Sequence, residues 1–206
     1  PIAIPCIASS GFIRAPKTPG DLHAPMDPLP VCTVGHSNRT LEAFVGLLRA
    51  GGVQQVIDIR TVPRSRHNPQ FDADMIDEGL RRHRIGYARI DQLGGLRSKS
   101  KTVPPEVNAF WVNASFHNYA DYALSPGFRA GLDRLLGVAD EQRAAIMCAE
   151  AVWWRCHRRI VADYLLLAGR EVLHLMGENR IEPARMTEAA VPADDGIHYP
   201  LPLLPP

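Results

Sequence analysis

"VCTVGHSNRTLEAFVGLLRAGGVQQVIDI", residues 31–59, decides the fold. It opens on a short apolar run with β-branched residues and pauses at Gly35. Leu41, Phe44, Val45 and Leu48 then recur at the spacing of one helical face. Thr40 stands where a cap belongs, Gly51-Gly52 stops the helix, and VQQVIDI resumes an apolar strand pattern. A strand, a helix and a second strand in so few residues make a βαβ unit, in which the strands run parallel.

The same alternation continues outward. DADMIDEGLRRH (72–83) reads as a helix, GYARI (86–90) as a strand, and YADYALSPGFRAGLDRLLGVA (119–139) as one helix or two broken near Ser125-Pro126. AAIMCA (144–149) is a buried strand, CHRRIVADYLLLA (156–168) a helix and EVLHLM (171–176) a final strand. The expected fold is therefore one α/β domain with Rossmann-like layering, a mainly parallel sheet with helices on both faces. No internal repeat is visible.

The proline-rich lead, residues 1–30, and the proline-rich tail, 181–206, flank a working domain over 31–180. Both ends are expected to be irregular and to add little to the core. Met26 is a candidate start, with residues 1–25 as upstream sequence. At 206 residues and 46% hydrophobic content the chain can bury a sizeable core. A net charge of +1 is too balanced for bulk attraction to nucleic acid, so any anion site is local. Cys6, Cys32, Cys148 and Cys156 are too few and too unevenly spaced for a disulfide framework, which points to reduced thiols and a cytoplasmic location. No run approaches the roughly 18 apolar residues of a membrane span, and the lead is a poor signal peptide.

In open parallel sheets ligands gather at the carboxyl ends of strands, which singles out three loops. GHSNR (35–39) sets His36, Ser37 and Asn38 before a helix N-terminus, where amides and dipole favour an anion; the plainer alternative is that Ser37 or Asn38 only caps the helix. DIRTVPRSRHNPQF (58–71) offers Asp58, Arg60, Arg64, Arg66, His67 and Asn68, with Pro63 stiffening the loop. Its arginines suit forked bonds to phosphate or carboxylate oxygens, with Asp58 orienting one guanidinium or doing acid-base work, unless the group is only an ion-pair network. CAEAVWWRCHRR (148–159) adds Cys148, Glu150, Arg155, Cys156, His157 and Arg158.

These blocks, TVGHSNRTLEAFVGLLRAGGVQQVIDIRTVPRSRHNPQF, QLGGLR, YADYALSPGF and MCAEAVWWRCHRRIVADYL, resemble the domain-of-unknown-function family 488 over about residues 33–176. The resemblance implies that GHS, the loop from Asp58 to Arg66, and the group from Cys148 to Arg158 belong to the family pattern. It implies no named activity.

The third loop admits several chemistries. A strand running into a cysteine ahead of a basic helix has the layout of rhodaneses and cysteine phosphatases. The phosphatase spacing is C-x5-R, however, and Cys148 to Arg155 is one residue longer, with Glu150 set where an anion should sit. A metal held by Cys148, Cys156 and His157, with or without His36, is disfavoured because adjacent helical residues point opposite ways; no metal or cofactor is expected. There remains Glu150 among arginines and aromatics, as N-glycoside-cleaving enzymes require, with Trp153, Trp154, Tyr119 or Tyr122 stacking on a base. Against it stands the bland alternative that Glu150 neutralises Arg155 or Arg158.

The expected function is an enzyme, hydrolase or transferase, binding a phosphate-bearing ligand, nucleotide or nucleic acid. Glu150, Asp58, Cys148 and His36 are the candidate catalytic residues, and Ser37, Asn38, Arg60, Arg64, Arg66, Arg155, His157 and Arg158 the candidate binding residues. A rhodanese-like enzyme with Cys148 as nucleophile and a non-catalytic nucleic-acid-binding module are the rivals. His36, Asp58, Arg60, Glu150 and Arg155 are expected to line one cleft. The strand is expected to end near Cys148 or Ala149 and the helix to begin near Cys156. No membrane is expected as a partner.

Overall fold

The structure is a computed structural model that describes residues 28–177 and 179–201. The expectations for residues 1–25, Met26 and Cys6 lie outside the described residues. The first strand, β1 (Val31–Gly35), is buried throughout and leads into helix α1 (Leu41–Ala50). Thr40 Oγ1 accepts from the amide of Ala43, so Thr40 is the N-cap, and Gly51 ends the helix as the glycine pair implied. The chain then forms β2 (Gln55–Asp58), α2 (Ala73–Arg81) and β3 (Gly86–Arg89). Next come α3 (Ala114–Ala123) and α4 (Pro126–Glu141), a break set by Ser125 capping and Pro126 at the first helical position. β4 (Ala144–Cys148), α5 (Arg158–Leu167) and β5 (Val172–Gly177) complete the alternation.

The six-stranded sheet has the order β3-β2-β4-β1-β5-β6, with β6 (Arg180–Pro183) antiparallel on β5 and the rest parallel. β4 is inserted between β2 and β1, pairing Met147 with Asp58 and Cys148 with Gly35. Alternate strand residues serve the two faces. Cys32, Val34, Val56, Ala145 and Met147 meet Phe44, Leu48, Ile76 and Leu80 of α1 and α2. Val31, Ile57, Ala144 and Ile146 meet the side of α3, α4 and α5, where Tyr119, Phe128, Leu135 and Ile160 lie. Both faces being covered is why these strands read as continuous apolar runs.

The tail departs from expectation. β5 is not the last strand: β6 follows, and β7 (Val191–Ala193) and β8 (Gly196–His198) form a hairpin. Ile197 and Tyr199 are fully buried in the α3–α5 core. Tyr199 Oη donates to Asp163 Oδ2 at 2.9 Å, the Thr187 amide donates to Asp163 Oδ1 at 2.8 Å, and the Ile197 amide donates to Tyr164 Oη at 3.0 Å. The prolines misled because they punctuate short extended pieces, and the two large side chains that anchor them follow no period. Gly196, at φ +145°, turns the hairpin where a Cβ would meet Tyr164 Oη at 2.6 Å. Among the described residues no helix is long and apolar enough to cross a membrane.

Candidate functional site

Because β4 lies between β2 and β1, the loops after all three strands open at one edge of the sheet. They wall a cavity of about 390 Å³ lined by His36, Arg60, Arg64, Cys148, Glu150 and Arg155, among others. The expected convergence of His36, Arg60, Glu150 and Arg155 is therefore present, whereas Asp58 lies beneath the wall, fully buried.

Asp58 is saturated. Its Oδ1 accepts from the Arg60 amide and Nε, and its Oδ2 from Arg60 Nη2 at 2.6 Å and Tyr87 Oη at 2.7 Å. A carboxylate with its lone pairs so occupied orients a guanidinium and has no capacity left for acid-base work, which corrects its catalytic assignment. Arg60 spends Nη2 on Asp58 and the Phe71 carbonyl and points Nη1 at His36 Nε2, 3.1 Å away. His36 Nδ1 faces the Ser37 carbonyl at 2.8 Å and so carries the proton, leaving Nε2 to accept from Arg60. Its ring stacks on Phe71, and burial lowers its pKa from 6.5 to about 4, so it is neutral. His36 is thus a positioning group for Arg60.

Gly35 is needed for close packing rather than for ligand approach, since a Cβ there would fall 1.9 Å from the Glu150 carbonyl oxygen. Ser37 and Asn38 do not line the cavity, and Thr40 caps α1 in their place. Ser37 instead takes the left-handed backbone, φ +51°, that turns the chain into α1. Arg64 is exposed at the cavity wall, and Arg66 is exposed outside it.

β4 ends at Cys148 as expected, and α5 begins at Arg158 with His157 as its cap residue. At the start of the helix the Arg159 amide bonds the Cys156 carbonyl, and those of Ile160 and Val161 bond that of His157. Arg158, 1% exposed, turns inward, donating from Nε to Cys156 Sγ at 3.3 Å and from Nη2 to the Glu150 carbonyl at 2.5 Å. It does not line the cavity, so its assignment as an anion contact is corrected as well. Glu150 is held through that carbonyl. Its carboxylate is exposed and enters no ion pair among the described residues, so it does not neutralise Arg155 or Arg158.

Cys148, Cys156 and His157 converge, their ligand atoms all within 4.8 Å of one another. The opposite-facing argument fails because Cys156 is extended (φ −131°, ψ 145°) while His157 is helical (φ −55°, ψ −16°), which turns both side chains to one point. His157 Nε2 lies 3.1 Å from the Ile59 carbonyl oxygen and donates to it, so the Nδ1 lone pair faces Cys156 Sγ at 3.6 Å and Cys148 Sγ at 3.9 Å. Cys148 is pushed well up by its hydrogen bond to Cys156 and by burial. Burial opposes ionisation of Cys156 too, but the Cys148 hydrogen bond, His157 and Arg158 together hold it well below the usual thiol range. The more acidic thiol is therefore Cys156, not Cys148.

Sequence reasoning missed part of the cavity. Val62, Leu96 and Phe116 supply its apolar wall and Ser65 and Ser115 its hydroxyls. The aromatics named from sequence do not line it. Tyr119 is buried with Oη on the Leu93 carbonyl, Tyr122 lies under Arg97, and Trp153 stacks on His174. Phe116 comes from α3, which no strand-end rule selects. The glycines of QLGGLR were a usable signal for their loop, since a Cβ at Gly95 would sit 2.4 Å from His157 Nδ1.

The family model described as Domain of unknown function DUF488 matches residues 40–165, which takes in the second and third loops and begins just after the GHS turn. No curated protein and no solved structure matches the chain.

Proposed function

The chain belongs to the DUF488 family, and from that premise we propose that its cavity is the active site of a hydrolase or transferase acting on a small phosphate-bearing ligand, a nucleotide or the end of a nucleic acid. The observation that carries the reading is the Glu150 carboxylate, which enters no ion pair among the described residues, in a cavity wall shared with Arg64 and Arg155. Two exposed guanidinium groups suit phosphate oxygens, which they grip by forked bonds. Val62, Leu96 and Phe116 suit a ring or base beside them. A carboxylate facing such a ligand, rather than tied up by the protein, is suited to activating water or to stabilising positive charge that develops on a sugar, as N-glycoside cleavage demands. A cavity of about 390 Å³ matches a nucleotide-sized group and not a duplex.

The test is turnover and binding in parallel. Nucleoside monophosphates and a short single strand are assayed for base release, and phosphate-ligand affinity is measured by calorimetry, in wild type and Glu150→Gln. Lost turnover with binding kept or strengthened supports the reading, because the neutral amide removes a charge that repels the anion. Lost binding and lost stability together make Glu150 a structural strut and sink it.

A thiol enzyme is the second reading, favoured by the acidity of Cys156. It predicts that alkylation stops turnover while Glu150→Gln spares it.

A further inference from the structure

We infer that Cys148, Cys156 and His157 form a metal site for a borderline-soft dication, Zn²⁺ by chemistry, with its fourth coordination position open to the cavity. This rests on the positions of three ligand atoms and holds whichever substrate the cavity takes.

Distances make the case. Zinc–sulfur bonds of about 2.3 Å and zinc–nitrogen bonds of about 2.0–2.1 Å at tetrahedral angles separate sulfur from nitrogen by about 3.6 Å. His157 Nδ1 stands 3.6 Å from Cys156 Sγ and 3.9 Å from Cys148 Sγ. Two edges of a tetrahedral face are therefore already close to their required lengths, and the third, between the sulfurs, is within 4.8 Å. The same spacing serves an S–H···N hydrogen bond between a thiol and the imidazole, and the metal titration below separates the two.

The surroundings agree. His157 Nε2 donates to the Ile59 carbonyl, which fixes the tautomer that leaves Nδ1 as a ligand. Arg158 Nε donates to Cys156 Sγ, as groups around metal-bound thiolates commonly do. In the metal-bound state both sulfurs are thiolates, any proton a thiol still carries leaving to solvent, and their two charges balance the dication. Two sulfurs and an imidazole favour zinc over calcium or magnesium, which take oxygen ligands. Cys148, Cys156 and His157 all line the cavity, so access comes from the same side as a ligand. Three protein ligands beside an open space are the pattern of a metal that binds water or substrate, not of a closed structural site.

The experiment uses the full chain in a Cys6→Ser, Cys32→Ser background, so that only two of the four cysteines remain. Cys32 is buried against the Gly51 carbonyl on the α1 face, away from the site. Metal-free protein is titrated with Co²⁺, and then Zn²⁺ is added in competition. Saturation at one ion per chain, with a thiolate-to-cobalt charge-transfer band and the intense visible bands of a tetrahedral ion that zinc erases, supports the site. Cys148→Ser, Cys156→Ser and His157→Gln should each weaken zinc binding by more than about a hundredfold, and Arg158→Met by about ten- to a hundredfold. Circular dichroism checks that each variant folds, and the parent spectrum needs no ligand variant to be read. A six-coordinate cobalt spectrum without charge transfer, no saturable uptake, or a Cys148–Cys156 disulfide formed equally well with and without zinc would overturn the inference.

Discussion

His157 donates from Nε2 to the carbonyl oxygen of Ile59 across 3.1 Å, joining the loop after β4 to the end of β2. One imidazole thus couples the thiol group to the residue just before Arg60, which lines the cavity. Residues 98 positions apart hold the floor of the site in one piece.

Replacing Asp58 with Asn should be strongly destabilising. It removes the charge from a carboxylate that receives Arg60 and Tyr87 with both partners of the ion pair buried, leaving a guanidinium without its counter-charge. Breaking a buried pair costs roughly 3–5 kcal/mol. Urea unfolding measures it, and a loss under about 1 kcal/mol would show that water reaches the pair.

Tyr199→Phe should cost about 1–3 kcal/mol, because it leaves one oxygen of the buried Asp163 without its donor. Truncation after Pro183 should do far more, since it strips Ile197 and Tyr199 from the α3–α5 core. Thermal melts of both variants check this. A truncated chain melting within a few degrees of the full one would mean that the hairpin is only an ornament.

Gly95→Ala should disturb the site without unfolding the chain. Its Cβ would lie 2.4 Å from His157 Nδ1, so the ring must swing away from the two sulfurs. Zinc affinity should fall by at least about tenfold while the unfolding midpoint moves little. Unchanged affinity would show that the loop gives way in place of the ring.

Stability should fall on mild acidification. His36 and His174 are both lowered from 6.5 to about 4, chiefly by burial. Above 6.5 both states are neutral and the full stability is present. As pH drops from 6.5 to about 4 the unfolded chain takes up protons that the native state refuses. Each histidine then withdraws stability on the order of 3 kcal/mol, with no further loss from it below about 4. His174→Asn should roughly halve the slope in that window. Denaturant titrations at several pH values read it directly, and a flat profile in the parent protein contradicts both shifts.

Anion affinity should depend on Arg64 and Arg155 more than on Arg66 or Arg158. The first two line the cavity, Arg66 lies outside it, and Arg158 is committed to Cys156 and Glu150. Arg64→Ala with Arg155→Ala should weaken phosphate binding about tenfold or more and flatten its salt dependence, whereas Arg66→Ala should do neither. Calorimetry at two ionic strengths separates the cases.

Strands and helices were legible because their signals are local. Residues 31–59 carry a strand, a capped helix and a second strand in their own periodicity and glycines, and both sheet faces follow from apolar runs without alternation. That three loops held the chemistry was legible too, since parallel strands deliver their carboxyl ends to one edge. Each arginine's role was not legible. Arg60, Arg64, Arg155 and Arg158 read alike in sequence, and only burial and partner geometry divide those spent on Asp58 or Cys156 from those left exposed at the cavity. The insertion of β4 between β2 and β1 was hidden for the same reason. No residue encodes its neighbour across a sheet, and pairing Met147 with Asp58 and Cys148 with Gly35 depends on how the whole chain packs. The thiol–imidazole group was the sharpest such case. Two adjacent residues point to one place because the helix begins between them, and that boundary is a tertiary decision.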